Sequence, residues 1–234
     1  MLEEILMCET LDAWSQVLFS LAKDCGFSSV LFGVKPTIST PFSSSTIISN
    51  YSKSWRAFYD SNACYEVDPV VFHCLNSSLP LVWTKENFIN PPELQLYEAA
   101  SASGVRSGLC MPIHGPRGEF GMLNFITDEK SPADLINAQG LPQFALMRDY
   151  LIESFQKLQN ASEKEFETPP KLTARELECL KWVAAGKTSW EISRILSCAE
   201  VTVNYHVTNF MRKFNAESRQ HAVISGIRSG LVTP

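Results

Sequence analysis

The stretch from Lys171 to the C-terminus constrains the fold more than any other part of the chain. It runs KLTARELECLKWVAAGKTSWEISRILSCAEVTVNYHVTNFMRKFNAESRQHAVISGIRSG, and helix-start signals recur along it at short intervals. Thr173 with Glu176, and Thr188 with Glu191, have the capping-box spacing in which side chains satisfy free N–H groups at a helix start. A tight turn over Leu196, Ser197, Cys198 and Ala199 leads into a third helix, whose Val203, Val207, Phe210 and Phe214 fall on one buried face. Its other face carries Asn204, Tyr205, Thr208, Arg212 and Lys213. A helix, a turn and a second helix with a polar, basic outer face is an arrangement that presents side chains to the DNA major groove.

Charge supports a division of labour. Residues 171–234 hold nine Lys/Arg and five Asp/Glu, while the rest of the chain holds eleven and twenty. A mildly basic tail on an acidic body suits a DNA-binding module joined to a unit that does not touch DNA. The sequence pI of 5.4 argues against non-specific coating of nucleic acid. Seven cysteines occur without a CxxC or a Cys/His pair at zinc spacing, so no metal or cofactor is expected. The opening MLEEILMCET is acidic where a secretory signal is basic, and no apolar run reaches membrane-spanning length. The expectation is a cytoplasmic protein with reduced thiols and no membrane partner.

Residues 160–171, NASEKEFETPPK, are polar and end in two prolines, which marks a linker between a domain at 1–159 and one at 172–234. The upstream domain reads as an amphipathic helix through Lys23 and a strand over 28–34. After a Pro/Ser/Thr-rich loop come a short TIISN strand and a helix carrying Trp55 and Tyr59. Asp68-Pro69 starts another helix, Leu81–Trp83 forms a brief strand, and a helix over 92–103 ends at Gly104. SGLCMPIH and EFGMLNFIT make a β-hairpin, and one long helix over 133–158 closes the domain. The fold class is therefore α+β: an N-terminal α/β/α sandwich around an antiparallel sheet, GAF- or PAS-like by analogy, followed by an all-α helix-turn-helix domain.

In the upstream domain Tyr51, Trp55, Tyr59, Asp68 and Trp83 form the informative cluster. Tyr51, Trp55 and Tyr59 are spaced by four and share a helix face if that helix begins early enough. Each aromatic has an apolar body and one directed hydrogen-bonding atom, and Asp68 is an acceptor when ionised. Such a set around an apolar cavity suits a small neutral ligand with an amide and a carbonyl. Core aromatics with a capping Asp are the alternative reading of the same residues.

The segments NYSKSWRAFYD, VDPVVFHC, LVW, EAASASGVRSGLCMPIHGPRGEFGMLNF and GKTSWEISRIL resemble the LuxR family of quorum-sensing transcription factors, receptors for acyl-homoserine lactones, and most closely its LasR-like branch. Trp55, Tyr59, Asp68, Pro69, Trp83 and Gly108 match the signature positions of the signal domain, and Glu176, Leu180 and Gly186 those of the DNA-binding domain. The resemblance implies that Trp55 donates to the lactone carbonyl, Asp68 accepts from the ligand amide and Tyr59 binds the acyl carbonyl. It further implies that Trp83 packs on the lactone ring, that Gly108 leaves room for close backbone approach, and that Leu31, Gly33, Tyr51, Val71 and Cys110 line an acyl channel. Arg56 after Trp55 resembles the LasR-like receptors, which implies a 3-oxo signal of medium or long chain. Two departures stand out: Asn124 replaces the usual Ser or Thr partner of the acyl carbonyl, and Val70 replaces a Thr. A regulator answering a non-lactone molecule, or acting without ligand, is the alternative.

For the tail, the resemblance implies phosphate contacts from Lys187, Thr188, Arg212 and Lys213 and base readout by Asn204 and Thr208. Thr202, Tyr205 and Asn209 complete the expected DNA surface, with His206 able to touch backbone or to sit partly buried. The basic residues taken singly read equally as solvated surface charges. Ala199 stands where the family often places a capping Ser, and Ser197 with Glu200 offers an earlier cap. Family sites are two-fold symmetric, so a homodimer on a double-stranded promoter inverted repeat is implied, with RNA polymerase as a further partner. Phe144, Leu151 and Leu158 at seven-residue spacing, and a last helix from Ala222 to Leu231, are candidate dimer seams, although the first set also suits covering the sheet. A phospho-receiver is excluded because the first strand ends Phe32-Gly33-Val34-Lys35 without an acidic pair. An enzyme is disfavoured because Cys64, His73, Cys74, Cys110 and His114 lack the spacing and orienting partner of a nucleophilic or metal site.

Overall fold

A computed structural model describes residues 2–115, 118–128, 132–162 and 170–232. The chain forms two compact units, Met1–Glu163 and Lys164–Pro234. In the first unit two helices stand where one was expected. α1 (Leu2–Leu6) stops, Thr10 turns extended and accepts the Ala13 N–H at 3.2 Å, and α2 (Leu11–Asp24) begins there. β1 (Ser29–Lys35), β2 (Thr46–Ser49), α3 (Lys53–Ser61), α4 (Pro69–Asn76), β3 (Leu81–Trp83) and α5 (Pro91–Ala102) follow. The hairpin of β4 (Ser107–His114) and β5 (Phe120–Thr127) leads to α6 (Ala133–Gln139) and α7 (Leu141–Ser162). The single long helix read from the sequence is thus broken at Gly140, whose φ of +80° takes the chain out of helical geometry. α7 also runs on to Ser162, three residues into the segment assigned to the linker, and 163–169 lie outside the described residues.

The five strands form one antiparallel sheet in the order β2-β1-β5-β4-β3. Side-chain alternation gives each face its own core. Val30, Phe32, Leu109, Met111, Ile113, Leu123 and Phe125 pack against α1, α2 and α7 together with Trp14, Leu18, Phe144 and Leu151. The Trp14 indole N–H donates to Ser154 Oγ at 2.8 Å, tying α2 to α7 inside this core. Phe144 and Leu151 are fully buried there, so they cover the sheet and are not free to form a dimer seam. The opposite face carries Cys110, Phe120, Met122 and Ile126 toward Trp55, Val70, Cys74 and Leu96 from α3, α4 and α5. The α/β/α sandwich is present.

In the second unit α8 (Ala174–Ala184), α9 (Ser189–Ile195), α10 (Glu200–Lys213) and α11 (Arg219–Arg228) surround a core of Cys179, Leu180, Ile192, Val203, Phe210 and Ala222. Both capping boxes form: Thr173 with Glu176 exchange two hydrogen bonds and Thr188 with Glu191 three. Ser197 does not cap α10. It is left-handed at φ +50° in the turn after α9, and Ala199 opens the helix without a side-chain bond.

Candidate functional site

Between the sheet and the α3–α5 layer lies a cavity of about 690 Å³, within the range of small-molecule sites. β1 contributes Leu31, Gly33 and Lys35, and β5 contributes Phe120, Met122 and Asn124, because alternate residues of a strand share a face. The rest of the wall includes Tyr51, Trp55, Arg56, Tyr59, Asp68, Val71 and Trp83. Ten of the twelve residues expected from the sequence therefore meet in one cavity. Tyr51 reaches it from outside the helix: Ser52 accepts the Trp55 N–H at 3.2 Å and starts α3 after Tyr51, so no shared helix face exists.

Polar atoms are concentrated at the Asp68 end. Asp68 caps α4, with Oδ1 accepting the Val70 N–H at 2.8 Å and Oδ2 accepting the Tyr59 hydroxyl at 2.8 Å. Asp68 thus caps α4 and also touches the aromatic cluster. Burial pushes the Asp68 carboxyl above its ordinary value, and the bonds from Tyr59 and the Val70 and Val71 N–H groups only partly oppose it. Burial, and then the charge of Asp68, push the Tyr59 phenol well up, so the phenol keeps its proton and acts as donor. The Trp83 indole N–H donates to Asn124 Oδ1 at 2.9 Å, which leaves the Asn124 amide NH₂ as the group to offer elsewhere. Tyr51 Oη is buried with no hydrogen-bond partner of acceptable geometry. Burial pushes its acidity far down, and the nearby Asn124 amide counters this only slightly. An orphan hydroxyl of this kind costs about 1–3 kcal/mol unless something in the cavity meets it. Arg56 pairs with Asp60 one turn on and lies 5.2 Å from the Tyr59 ring centre.

Gly108 and Cys110 are not in the cavity wall. A Cβ on Gly108 would stand 2.2 Å from the Phe125 carbonyl oxygen and 3.0 Å from Trp83 Nε1, so the bare glycine serves the packing of Trp83 across β4. Cys110 is fully buried, 3.3 Å from Cys74 Sγ, and burial raises its thiol well above the ordinary value. His73 and His114 contact the backbone oxygens of Leu79 and Ser77, so neither orients a cysteine. Among the described residues no group of three His, Cys, Asp or Glu could hold a metal ion, and no helix is long and apolar enough to cross a membrane. Lys35, Phe42, Phe88 and Phe120 are wall residues absent from the sequence reading. Strand alternation from Leu31 and Gly33 was enough to find Lys35, and from Asn124 enough to find Phe120.

On the second unit, α10 exposes Thr202, Asn204, Tyr205, Thr208 and Arg212, with Asn209 half-buried and accepting from Arg212 at 3.4 Å. His206 is half-buried, edge-on to Tyr205. Lys187 pairs with Glu191 at 3.2 Å, and the Thr188 hydroxyl is engaged in the α9 cap. Lys213 departs from expectation. Its ammonium lies 2.6 Å from Glu176 Oε2 and donates to the Lys171 carbonyl at 3.0 Å, closing α10 onto the start of α8. Glu176 is only 4% exposed, so Lys213 neutralises a buried carboxylate and is not a free phosphate contact.

A cavity-bearing α/β domain followed by a helix-turn-helix domain defines a class: regulators that sense a small molecule and bind DNA. The autoinducer binding domain family matches residues 10–155, and the luxR family of bacterial regulatory proteins matches residues 170–225. The transcriptional activator protein VanR of Vibrio anguillarum is 34% identical over 95% of this chain and 92% of its own length. AnoR of Acinetobacter nosocomialis is 30% identical over 99% and 97%. The crystal structure of SdiA from Escherichia coli superposes with a TM-score of 0.73 at 26% identity, covering 99% of this chain and 95% of that one. A structure of SdiA in complex with octanoyl-rac-glycerol gives 0.71 at 27%, covering 99% and 93%. The chain belongs to the LuxR family and is a ligand-responsive, DNA-binding transcriptional regulator of the quorum-sensing type, not an enzyme.

Proposed function

We propose that the cavity binds an N-acyl-homoserine lactone and that its occupancy governs binding of a homodimer to a two-fold symmetric promoter site. The unpartnered Tyr51 hydroxyl, set in an apolar cavity beside the enclosed Asp68 carboxylate, is the observation that carries this reading. Asp68 accepts the ligand amide N–H in a charge-assisted bond, Trp55 donates to the lactone carbonyl, and Tyr51 and the Asn124 NH₂ serve the acyl carbonyl, which Tyr59 joins by turning its one O–H from Asp68 to the ligand. Trp83 packs on the lactone ring, while Leu31, Gly33 and Val71 flank the acyl chain. Arg56 favours a 3-oxo chain of medium or long length. Filling the cavity supplies contacts that its lining otherwise lacks and stabilises the folded state by mass action.

Residues through the end of α7 sense the ligand, residues from 172 onward bind DNA, and a linker joins them. On DNA, Asn204 and Thr208 read base edges, and Lys187, Thr188 and Arg212 contact phosphates with Thr202, Tyr205 and Asn209 beside them. The name of VanR, a transcriptional activator, supports activation as the output, with RNA polymerase as partner. The SdiA complex with octanoyl-rac-glycerol favours one second reading, in which an acylated glycerol occupies the cavity. Thermal melts of the full chain with a panel of acyl-homoserine lactones and with octanoyl-rac-glycerol test the two. A rise in Tm with lactones supports the first reading, a rise with the glycerol alone supports the second, and no rise with any lactone overturns the first.

A further inference from the structure

Lys35 is the last residue of β1, is 4% exposed, and contributes to the cavity wall on the same strand face as Leu31 and Gly33. A buried ammonium is costly unless it is paired with a carboxylate or fully hydrogen-bonded. Among the described residues no carboxylate pairs with it. Nζ donates instead to the Ile38 and Thr40 carbonyls, at 2.7 Å each, and stands 4.1 Å from the Phe42 ring centre and 5.3 Å from that of Phe120. The loop that supplies those carbonyls is itself pinned. Thr37 and Thr40 join through their hydroxyls at 2.9 Å, and the Thr37 N–H donates to Thr40 Oγ1 at 3.2 Å. Burial lowers the pKa of the ammonium from the ordinary lysine value, as expected of a cation without a counter-charge.

An ammonium has three donors; two go to carbonyls of the chain, and the Phe42 ring is the nearest further group to the cation. Its place in the cavity is also informative. Lys35 lies opposite Phe120 in the β1–β5 register, whereas Leu31 lies opposite Asn124, next to Trp83. Four residues of strand separate the two levels, about 14 Å at ~3.4 Å per residue. The polar cluster around Asp68 and Asn124, with Arg56 in the same wall, and the cation at Lys35 thus stand at different levels of one cavity.

We propose that the acyl group of the ligand carries an oxygen acceptor at its far end, such as a terminal hydroxyl or carboxylate, and that Lys35 selects for it. This rests on the lactone reading given above and narrows the ligand class within it. Against a plain alkyl tail the third donor faces only the Phe42 ring, whereas a terminal oxygen accepts a full hydrogen bond from it.

The test is calorimetric titration of the full chain with ω-hydroxyacyl-homoserine lactones of short, medium and long chain, each beside its unsubstituted parent. The expected result is a preference of about tenfold or more for the hydroxylated member at one chain length, as a hydrogen bond to a charged group provides. Lys35→Met should abolish or reverse that ratio. Equal affinities, or a preference for the plain chain at every length, overturn the inference while leaving the lactone reading intact. An unchanged ratio in Lys35→Met also overturns it and leaves Lys35 with the role of holding the Ile38–Thr40 loop. The wild-type ratio needs no variant, so a poorly folded substitution does not remove the test. Binding of no lactone at all removes both readings together.

Discussion

Replacing Asp68 with Asn separates what this side chain does for the fold from what its charge does for the ligand. The carboxylate accepts the Val70 N–H and the Tyr59 hydroxyl on different oxygens, each at 2.8 Å. Asn is as good a helix cap as Asp, so the first bond survives in Asp68→Asn, and the second is weakened. Against that loss stands relief of a desolvated charge. The folded-state value of Asp68 is raised, so its contribution to stability is fullest below the ordinary value of 3.8 and is lost as pH rises through the folded value. Where the carboxyl is ionised, the free wild-type protein carries a charge that burial penalises and that Asn lacks. These two effects oppose, and the stability of the free protein changes by no more than about 1 kcal/mol. Ligand affinity behaves differently. Losing a hydrogen bond to a charged acceptor removes about 1.5–3 kcal/mol, which weakens binding roughly ten- to a hundredfold. Because the ionised form accepts the ligand amide, wild-type affinity should fall as pH drops through the raised Asp68 value, and the variant should be flat there. Urea unfolding of the free protein and calorimetric titration across acidic pH provide both readings. Wild-type affinity in Asp68→Asn, or a wild-type affinity indifferent to pH, refutes the role assigned to the charge.

Tyr51→Phe removes a buried hydroxyl that has no partner in the free protein, so Tm should hold or rise while lactone affinity drops several-fold; a loss of Tm with unchanged affinity contradicts this. Gly108→Ala forces a Cβ against the Phe125 carbonyl and the Trp83 indole, and should cost about 1–3 kcal/mol in urea unfolding even though Gly108 is not in the cavity wall. Lys213→Met leaves Glu176 buried and unpaired, so hydrogen exchange at the start of α8 should speed up. Arg212→Ala should spare that exchange but weaken DNA binding and lower the salt slope by about one, which fluorescence anisotropy over a salt series reads directly.

The helical tail was almost fully legible, since each start signal is local: Thr173, Thr188 and their glutamates act within one turn. Lys213 was not, because its partner Glu176 lies thirty-seven residues away and only tertiary packing brings them together. In the sensing domain the strands and the Asp68-Pro69 start were readable, as was the cluster of aromatics. The break at Gly140 was missed because the apolar pattern continues across it while a single backbone angle does not. The resemblance implies Cys110 in the acyl channel and close backbone approach at Gly108, whereas Cys110 packs on Cys74 and the bare Gly108 makes room for Trp83 across the β3–β4 register. The burial of Lys35 is not legible in the sequence because a lysine ending a strand normally reaches water, and only the Thr37–Thr40 loop folding over it makes it a buried cation.

Native mass spectrometry of the full chain, expressed with a panel of acyl-homoserine lactones, tests the central claim most directly. The account predicts one lactone retained per polypeptide, with Asp68→Asn and Tyr51→Phe retaining less under the same conditions. A chain that emerges folded and empty from every lactone, or that carries only a molecule without the lactone ring, contradicts it.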